Sequence, residues 1–76
     1  MKALVEYLVK SLADQRDQVA LTEHETDDSI LLELSISPDD IGKIIGKNGN
    51  TINAIRTVLQ AAASSQKKRV KLEVLS

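Results

Sequence analysis

A chain of 76 residues has the length of one small domain, and 42% hydrophobic with 28% charged residues is typical of soluble globular proteins. The absence of cysteine and the single histidine exclude disulfides, thiolate nucleophiles and multi-histidine metal sites. Tyr7 is the only aromatic residue, so the stacking platforms that many nucleic-acid binders use are missing. No apolar segment approaches the roughly 20 residues of a membrane span. We therefore expect a soluble, cytoplasmic protein without membrane insertion.

The first predicted element is an amphipathic helix over residues 2–13. Its apolar residues recur at helical spacing, at Leu4, Val5, Leu8, Val9 and Leu12. Two strands should follow, over residues 18–25 and 29–36, because apolar and polar residues alternate there. Turn-forming residues separate the two strands, which should therefore pair antiparallel as a hairpin.

Residues 37–40 predict the start of a helix over residues 38–45. Ser37 can cap it, Pro38 suits its first position, and the two aspartates that follow lie at the positive end of its dipole. A longer helix is predicted over residues 49–63 and a third strand over 69–75. Since a helical pair connects the last two strands, they should be parallel. The expected fold class is a single α+β domain over residues 1–76, in the order α-β-β-α-α-β, with a three-stranded mixed sheet covered on one face by three helices.

Charge is divided unequally along the chain. The net charge of −1 combines −7 in residues 1–40 with +6 in residues 41–76. Such a division favours an anionic partner for the second half, although solvated surface charge is the commoner origin of it. The basic run Lys67–Lys71 is expected to keep a strand edge soluble, with a secondary role in extending an anion-binding surface.

The most informative segment of the chain is IGKIIGKNGNTI, at residues 41–52. A P-loop is excluded, because it needs four residues between its glycines and Lys-Ser/Thr after them, whereas Asn48 follows Gly46-Lys47. A hairpin turn at Asn48-Gly49 is disfavoured by the helical spacing on both sides. Two interpretations stay open. One is a plain corner between helices with glycine caps, and the other is a corner that offers backbone N–H groups and Lys47 to a phosphate.

The segment Ile45-Gly46-Lys47-Asn48-Gly49-Asn50-Thr51-Ile52 resembles the I-G-x-x-G-x-x-I signature of KH domains. The order of the elements resembles the type II, bacterial arrangement, and the length is similar to that of the small bacterial RNA-binding proteins of the KhpA family. The resemblance covers the whole chain. It implies a type II KH fold and a non-enzymatic protein that binds single-stranded RNA as a chaperone or post-transcriptional regulator. It implies no cofactor, metal or small-molecule substrate. The family is associated with a larger KH-containing RNA-binding partner and with the control of cell shape.

The resemblance also implies which residues contact RNA. The loop from Gly46 to Gly49 would contact the backbone of about four nucleotides, and apolar residues before it would form a groove for the bases together with the second strand. Asn50 departs from the family, in which many relatives carry Arg or Lys, so affinity should be modest. The complete predicted set is Ile41, Gly42, Lys43, Ile44, Ile45, Gly46, Lys47, Asn48, Gly49, Asn50 and Arg56.

The last helix carries apolar residues over an arc of roughly 200°, wider than the stripe of about 100° that packing on one sheet requires. We expect Ala54, Val58 and Ala61 to form an exposed patch through which two copies of the chain associate as a homodimer. Surface alanines acting only as good helix formers are the open alternative. The patch also supports a different function, a protein-interaction adaptor with weak or no RNA binding.

Overall fold

The computed structural model describes residues 1–75. Its helices and strands are α1 (Lys2–Leu12), β1 (Ala20–Glu25), β2 (Ser29–Ser35), α2 (Ile41–Ile45), α3 (Asn50–Ser64) and β3 (Arg69–Leu75). In the sheet, β2 lies between the other two strands, antiparallel to β1 and parallel to β3. This is the α+β architecture with three helices and a three-stranded mixed sheet that the sequence predicts, and that prediction is confirmed.

The hydrophobic core lies between the helices and one face of the sheet. Alternate residues of β2 are buried, at Ile30, Leu32 and Leu34, while Leu31 and Glu33 between them are partly exposed on the other face. The helices contribute buried side chains to the same cluster, at Val5 and Val9 of α1, Ile44 of α2, and Ile52, Ile55 and Leu59 of α3. One face of the sheet is therefore covered and the other faces solvent.

The chain between α1 and β1 differs from the prediction. Residues Arg16–Gln18 form a single 3-10 turn, and β1 begins at Ala20 rather than at residue 18. The turn is closed by backbone hydrogen bonds from Gln18 N–H to Gln15 O, at 3.0 Å, and from Val19 N–H to Arg16 O, at 3.1 Å. A turn of this length carries no apolar periodicity, so its residues could not be separated from the strand by pattern alone.

The segment before α2 is a second 3-10 turn, Pro38–Asp40, and it begins as predicted. The Ser37 side chain accepts a hydrogen bond from Asp39 N–H at 3.3 Å, and Pro38 occupies the first position of the turn. Asp40 has a different role from the one expected at a helix dipole. Its carboxylate is 1% exposed and accepts backbone N–H groups of the segment after α1, from Asp14 at 3.1 Å and from Gln15 at 2.8 Å. Through these hydrogen bonds, Asp40 links the segment after α1 to the start of α2.

Within residues 1–75, no helix combines the length and the apolar content that crossing a membrane requires.

Candidate nucleic-acid interface

The corner between α2 and α3 has a backbone that requires glycine. Gly46 has φ +77° and ψ 174°, and Gly49 has φ +75°. A Cβ built on Gly46 would lie 2.7 Å from the Cβ of Thr51 and 2.8 Å from its backbone N. These separations are shorter than van der Waals contact, and positive φ disfavours other L residues there. Thr51 therefore packs against Gly46 in a way that no side chain at Gly46 would allow.

Some backbone N–H groups of this corner are free and others are paired. The N–H of Gly46 donates to Gly42 O at 2.9 Å, and that of Gly49 donates to Gly46 O at 3.1 Å. Within residues 1–75, the N–H groups of Lys47 and Asn48 have no acceptor. They lie at the positive end of the 15-residue helix α3, which favours an anion. The groups available to a phosphate are therefore those of the two middle residues of the loop.

The cations near the corner differ in their availability. Lys47 is exposed and is in no ion pair with another residue of the described chain. Lys43 is also exposed, but its Nζ pairs with the carboxylate of Asp14. This hydrogen bond raises the pKa of Lys43 above its ordinary value, more than burial lowers it. Lys47 is therefore the cation that the loop presents, since Asn50 beside it carries no charge.

The predicted apolar contacts before the loop fall into two groups. Ile44 is fully buried in the core and so cannot touch a base. Ile41 and Ile45 are partly buried against that core, and Gly42 is exposed with nothing within 4 Å of a Cβ built on it. The surface of α2 is thus open at Gly42 and flanked by two partly exposed isoleucines.

The groove lies beside a different strand from the one that the sequence analysis named. β2 is the central strand, and the side chains on its helix-facing side are buried. Its first residues, Ser29, Ile30 and Leu31, still border an open depression of about 560 Å³, together with Gln60 of α3 and residues of β3. A groove of about 290 Å³ lies between α3 and the edge strand β3. Its lining residues are Arg56, Thr57, Leu59, Gln60, Val70, Lys71 and Leu72. Sequence reasoning identified Arg56 and gave the basic run that includes Lys71 a secondary role, but it missed the rest.

This groove leads from the glycine corner along one face of α3. Asn53, Arg56, Thr57 and Gln60 follow the i, i+3, i+4, i+7 spacing that places residues on the same side of a helix. The face begins at the corner, since the Nδ2 of Asn53 lies 3.6 Å from a Cβ built on Gly49. Arg56 is fixed in the groove, where its Nη2 donates to Leu72 O at 3.1 Å and its Nη1 to Asn53 Oδ1 at 3.3 Å. The spacing of these polar residues was the signal that could have located the groove.

The predicted association patch lies on another face of α3. Ala54, Val58 and Ala61 are all exposed, Val58 to 48%. Val58 and Gln60 are two positions apart, so at about 100° per residue they project to nearly opposite sides of the helix. Ala61, however, follows Thr57 by one helical turn, so the patch adjoins the groove along that side of α3.

The acidic hairpin and the basic segment before β3 contact each other. The Lys68 ammonium pairs with the Glu25 carboxylate and lowers the pKa of Glu25, and Arg69 N–H donates to Asp28 O at 3.0 Å. His24 is exposed, with its Nε2 at 2.9 Å from Glu33 Oε1. No group of three or more His, Cys, Asp or Glu side chains in residues 1–75 is arranged to hold a metal ion. The hairpin is thus joined to the basic segment by one ion pair and one backbone hydrogen bond.

Comparison with known proteins identifies the family. The family described as KhpA/KhpB, KH domain, matches residues 2–74. The RNA-binding protein KhpA of Halalkalibacterium halodurans is 48% identical over 75 residues, which cover 99% of each chain. KhpA of Clostridium acetobutylicum is 48% identical over 75 residues, covering 99% of this chain and 100% of that protein. KhpA of Chlamydia trachomatis is 45% identical over 75 residues, covering 99% and 96%. No solved structure matches the chain. The chain belongs to the KhpA/KhpB family of KH domains.

Proposed function

We propose that this protein binds single-stranded RNA through the corner from Gly46 to Gly49 and the groove between α3 and β3. The observation that carries the proposal is the pair of adjacent N–H groups, of Lys47 and Asn48, that have no acceptor within the described chain. A phosphate bound there would receive both hydrogen bonds together with the charge of Lys47. The relatives are named as RNA-binding proteins, and a KH loop clamps the backbone of about four nucleotides.

The groove suits the bases of the same RNA segment. Its wall on α3 presents the side-chain amide of Gln60, which can hydrogen-bond base edges. The Thr57 hydroxyl donates to Asn53 O at 3.0 Å, so its oxygen is available to a base as an acceptor. Val70, which is partly exposed, adds aliphatic surface on β3, whereas Leu72 is 3% exposed and belongs to the core beneath the groove. No aromatic residue lines the groove, so each base lacks a stacking partner there. We expect a dissociation constant on the order of micromolar, which is about −8 kcal/mol.

This affinity favours action as part of an assembly. In the proposed function the protein is a cytoplasmic RNA chaperone or post-transcriptional regulator that works as a homodimer or with a larger KH-containing RNA-binding protein. Linked sites raise the affinity of weak modules. In the patch at Ala54, Val58 and Ala61, Val58 projects away from Gln60 of the groove, and we propose that a partner docks around Val58. Through such a partner the protein would act on bacterial cell shape.

The double substitution Lys47→Asp/Asn48→Asp tests the RNA site. It replaces the cation by two carboxylates beside the free N–H groups, and we expect a loss of at least tenfold in affinity for single-stranded RNA, or about 1.4 kcal/mol. Fluorescence anisotropy with a labelled oligonucleotide measures it. The matched control is Lys2→Asp/Ala3→Asp, which changes the net charge equally at an exposed helix start where acids are tolerated. Equal affinities of the two variants would contradict the proposal.

The association patch is tested by Val58→Glu, which places a charge at its centre. If the patch forms a dimer, sedimentation should show a monomer, and the free energy of unfolding of that monomer should change little because Val58 is exposed. Ala20→Glu, at an exposed position of β1, is the control and should leave the mass unchanged. An adaptor function replaces the proposed one if RNA binding survives the Lys47 variant while partner binding depends on Val58.

A further inference from the structure

The outer face of α1 carries the chain's one aromatic residue in an unusual position. The inner face of the helix packs Val5 and Val9 into the core with no exposed surface, whereas Tyr7 on the other side is 72% exposed. A tyrosine ring is the largest apolar group of this chain, and burying it would stabilise the fold. Its ring is therefore unused by the core and open to a ligand.

Cationic side chains surround this ring. Tyr7, Lys10, Ser11 and Arg16 line a shallow depression, with Lys10 one helical turn after Tyr7. Neither Lys10 nor Arg16 is in an ion pair with another residue in the range 1–75. Residues 1–40 have a net charge of −7, so this cluster is a local exception in an acidic half of the chain.

We propose that Tyr7, Lys10 and Arg16, the Tyr7 patch, form a second contact for single-stranded RNA, separate from the glycine corner. A nucleobase stacks on the exposed ring, and Lys10 and Arg16 neutralise the phosphates on either side of it. An aromatic ring combined with flanking cations is the arrangement by which proteins hold single strands without sequence preference. The proposal rests on the proposed function, because it extends the path of the same RNA.

The fold joins the segment that carries Arg16 to α2, the helix that leads into the primary site. The Asp40 carboxylate binds the N–H groups of Asp14 and Gln15, and the carboxylate of Asp14 pairs with Lys43 of α2. Arg16 follows this fastened segment directly, and α2 leads into the glycine corner. In this proposal an RNA longer than the nucleotides held by the corner runs along α2, from the corner toward its start, to reach the patch.

The acids near the patch limit its strength. Asp14 is occupied by Lys43, but Asp17 is exposed beside Arg16 and is in no ion pair within the described residues. Its charge opposes a phosphate. The patch therefore adds affinity to RNA already held at the corner, through a high effective concentration.

Tyrosine emission tests the proposal directly, because no tryptophan or second tyrosine contributes to it. We expect oligouridylate of about 12 nucleotides to quench the emission of the full chain, and one of about four nucleotides to bind the corner without quenching. Tyr7→Leu keeps apolar bulk and removes the aromatic ring. It should weaken binding of the longer RNA about tenfold and leave the shorter one unchanged.

The salt dependence of RNA affinity tests the contribution of Lys10 and Arg16. Lys10→Gln/Arg16→Gln should reduce the slope of log K against log salt by about 1.4 for the longer RNA, since each phosphate contact on a single strand contributes about 0.7. Lys2→Gln is the control and should leave the slope unchanged. Unchanged emission at saturating long RNA, with NMR shifts at Lys47 and Asn48, would overturn the patch and keep the proposed function. The absence of both signals would overturn the two together.

Discussion

The two ends of α2 differ in whether the backbone N–H groups beside them have hydrogen-bond acceptors. At its start, the buried Asp40 carboxylate accepts two backbone N–H groups from the segment after α1. At its end, two adjacent N–H groups, of Lys47 and Asn48, point from an exposed loop with no acceptor in the described chain. The backbone N–H groups beside the start of α2 thus have acceptors, whereas those of the loop at its end do not. The five-residue helix that presents the loop is held at its start by Asp40 and along its length by the buried side chain of Ile44.

The largest loss of stability should follow from removing the Asp40 carboxylate at the start of α2. Asp40→Ala leaves the N–H groups of Asp14 and Gln15 without their acceptor, and we expect a loss of about 3 kcal/mol in the free energy of unfolding. Urea denaturation measures it. Asp39→Ala is the matched control, because Asp39 is exposed, and it should change stability by less than about 0.5 kcal/mol. Equal losses of stability in the two variants would show that the hydrogen bonds to the Asp40 carboxylate do not stabilise the fold.

A somewhat smaller effect should follow from a side chain in the loop itself. Gly46→Ala combines a positive φ with the overlap against Thr51, and a cost of about 2 kcal/mol in unfolding is expected, together with weaker RNA binding. Gly42→Ala is the control, since its added Cβ meets nothing within 4 Å. In that variant the helix should gain up to about 1 kcal/mol. The same denaturation curves would contradict this account if Gly46→Ala were as stable as Gly42→Ala.

The smallest change in stability should follow from removing the ion pair between Lys43 and Asp14, which is a second contact between α2 and the segment after α1. Asp14 raises the pKa of Lys43 above its ordinary value of 10.5, so the pair stabilises the folded state below that pH and ceases to do so as pH rises through the folded pKa. Lys43→Gln should therefore be slightly less stable than the native chain at pH 7 and equally stable once Lys43 is deprotonated. Urea midpoints at the two pH values measure this. If Lys43→Gln were still less stable than the native chain after Lys43 is deprotonated, Lys43 would stabilise the fold through side-chain packing rather than through its charge.

Much of the fold follows from patterns in the sequence, but the site follows from them only in part. The capping residue Ser37 and the glycines at 46 and 49 are local signals, and all act where they were predicted. The partners of Asp40 lie 25 and 26 residues earlier, so no local spacing reveals them. The groove was placed at β2 on the resemblance to KH domains, yet the apolar alternation of β2 is itself the sign of a covered strand. The groove next to α3 is bordered by β3, at the edge of the sheet.

The central claim is that the free N–H groups of Lys47 and Asn48 receive an RNA phosphate. An NMR titration of the 15N-labelled chain with short single-stranded RNA tests it most directly, because each amide reports separately. We predict the largest shifts at Lys47 and Asn48, with smaller ones along the groove at Thr57, Gln60 and Lys71. Shifts that avoid the loop and gather around Val58, or no shifts at saturating RNA, would contradict it.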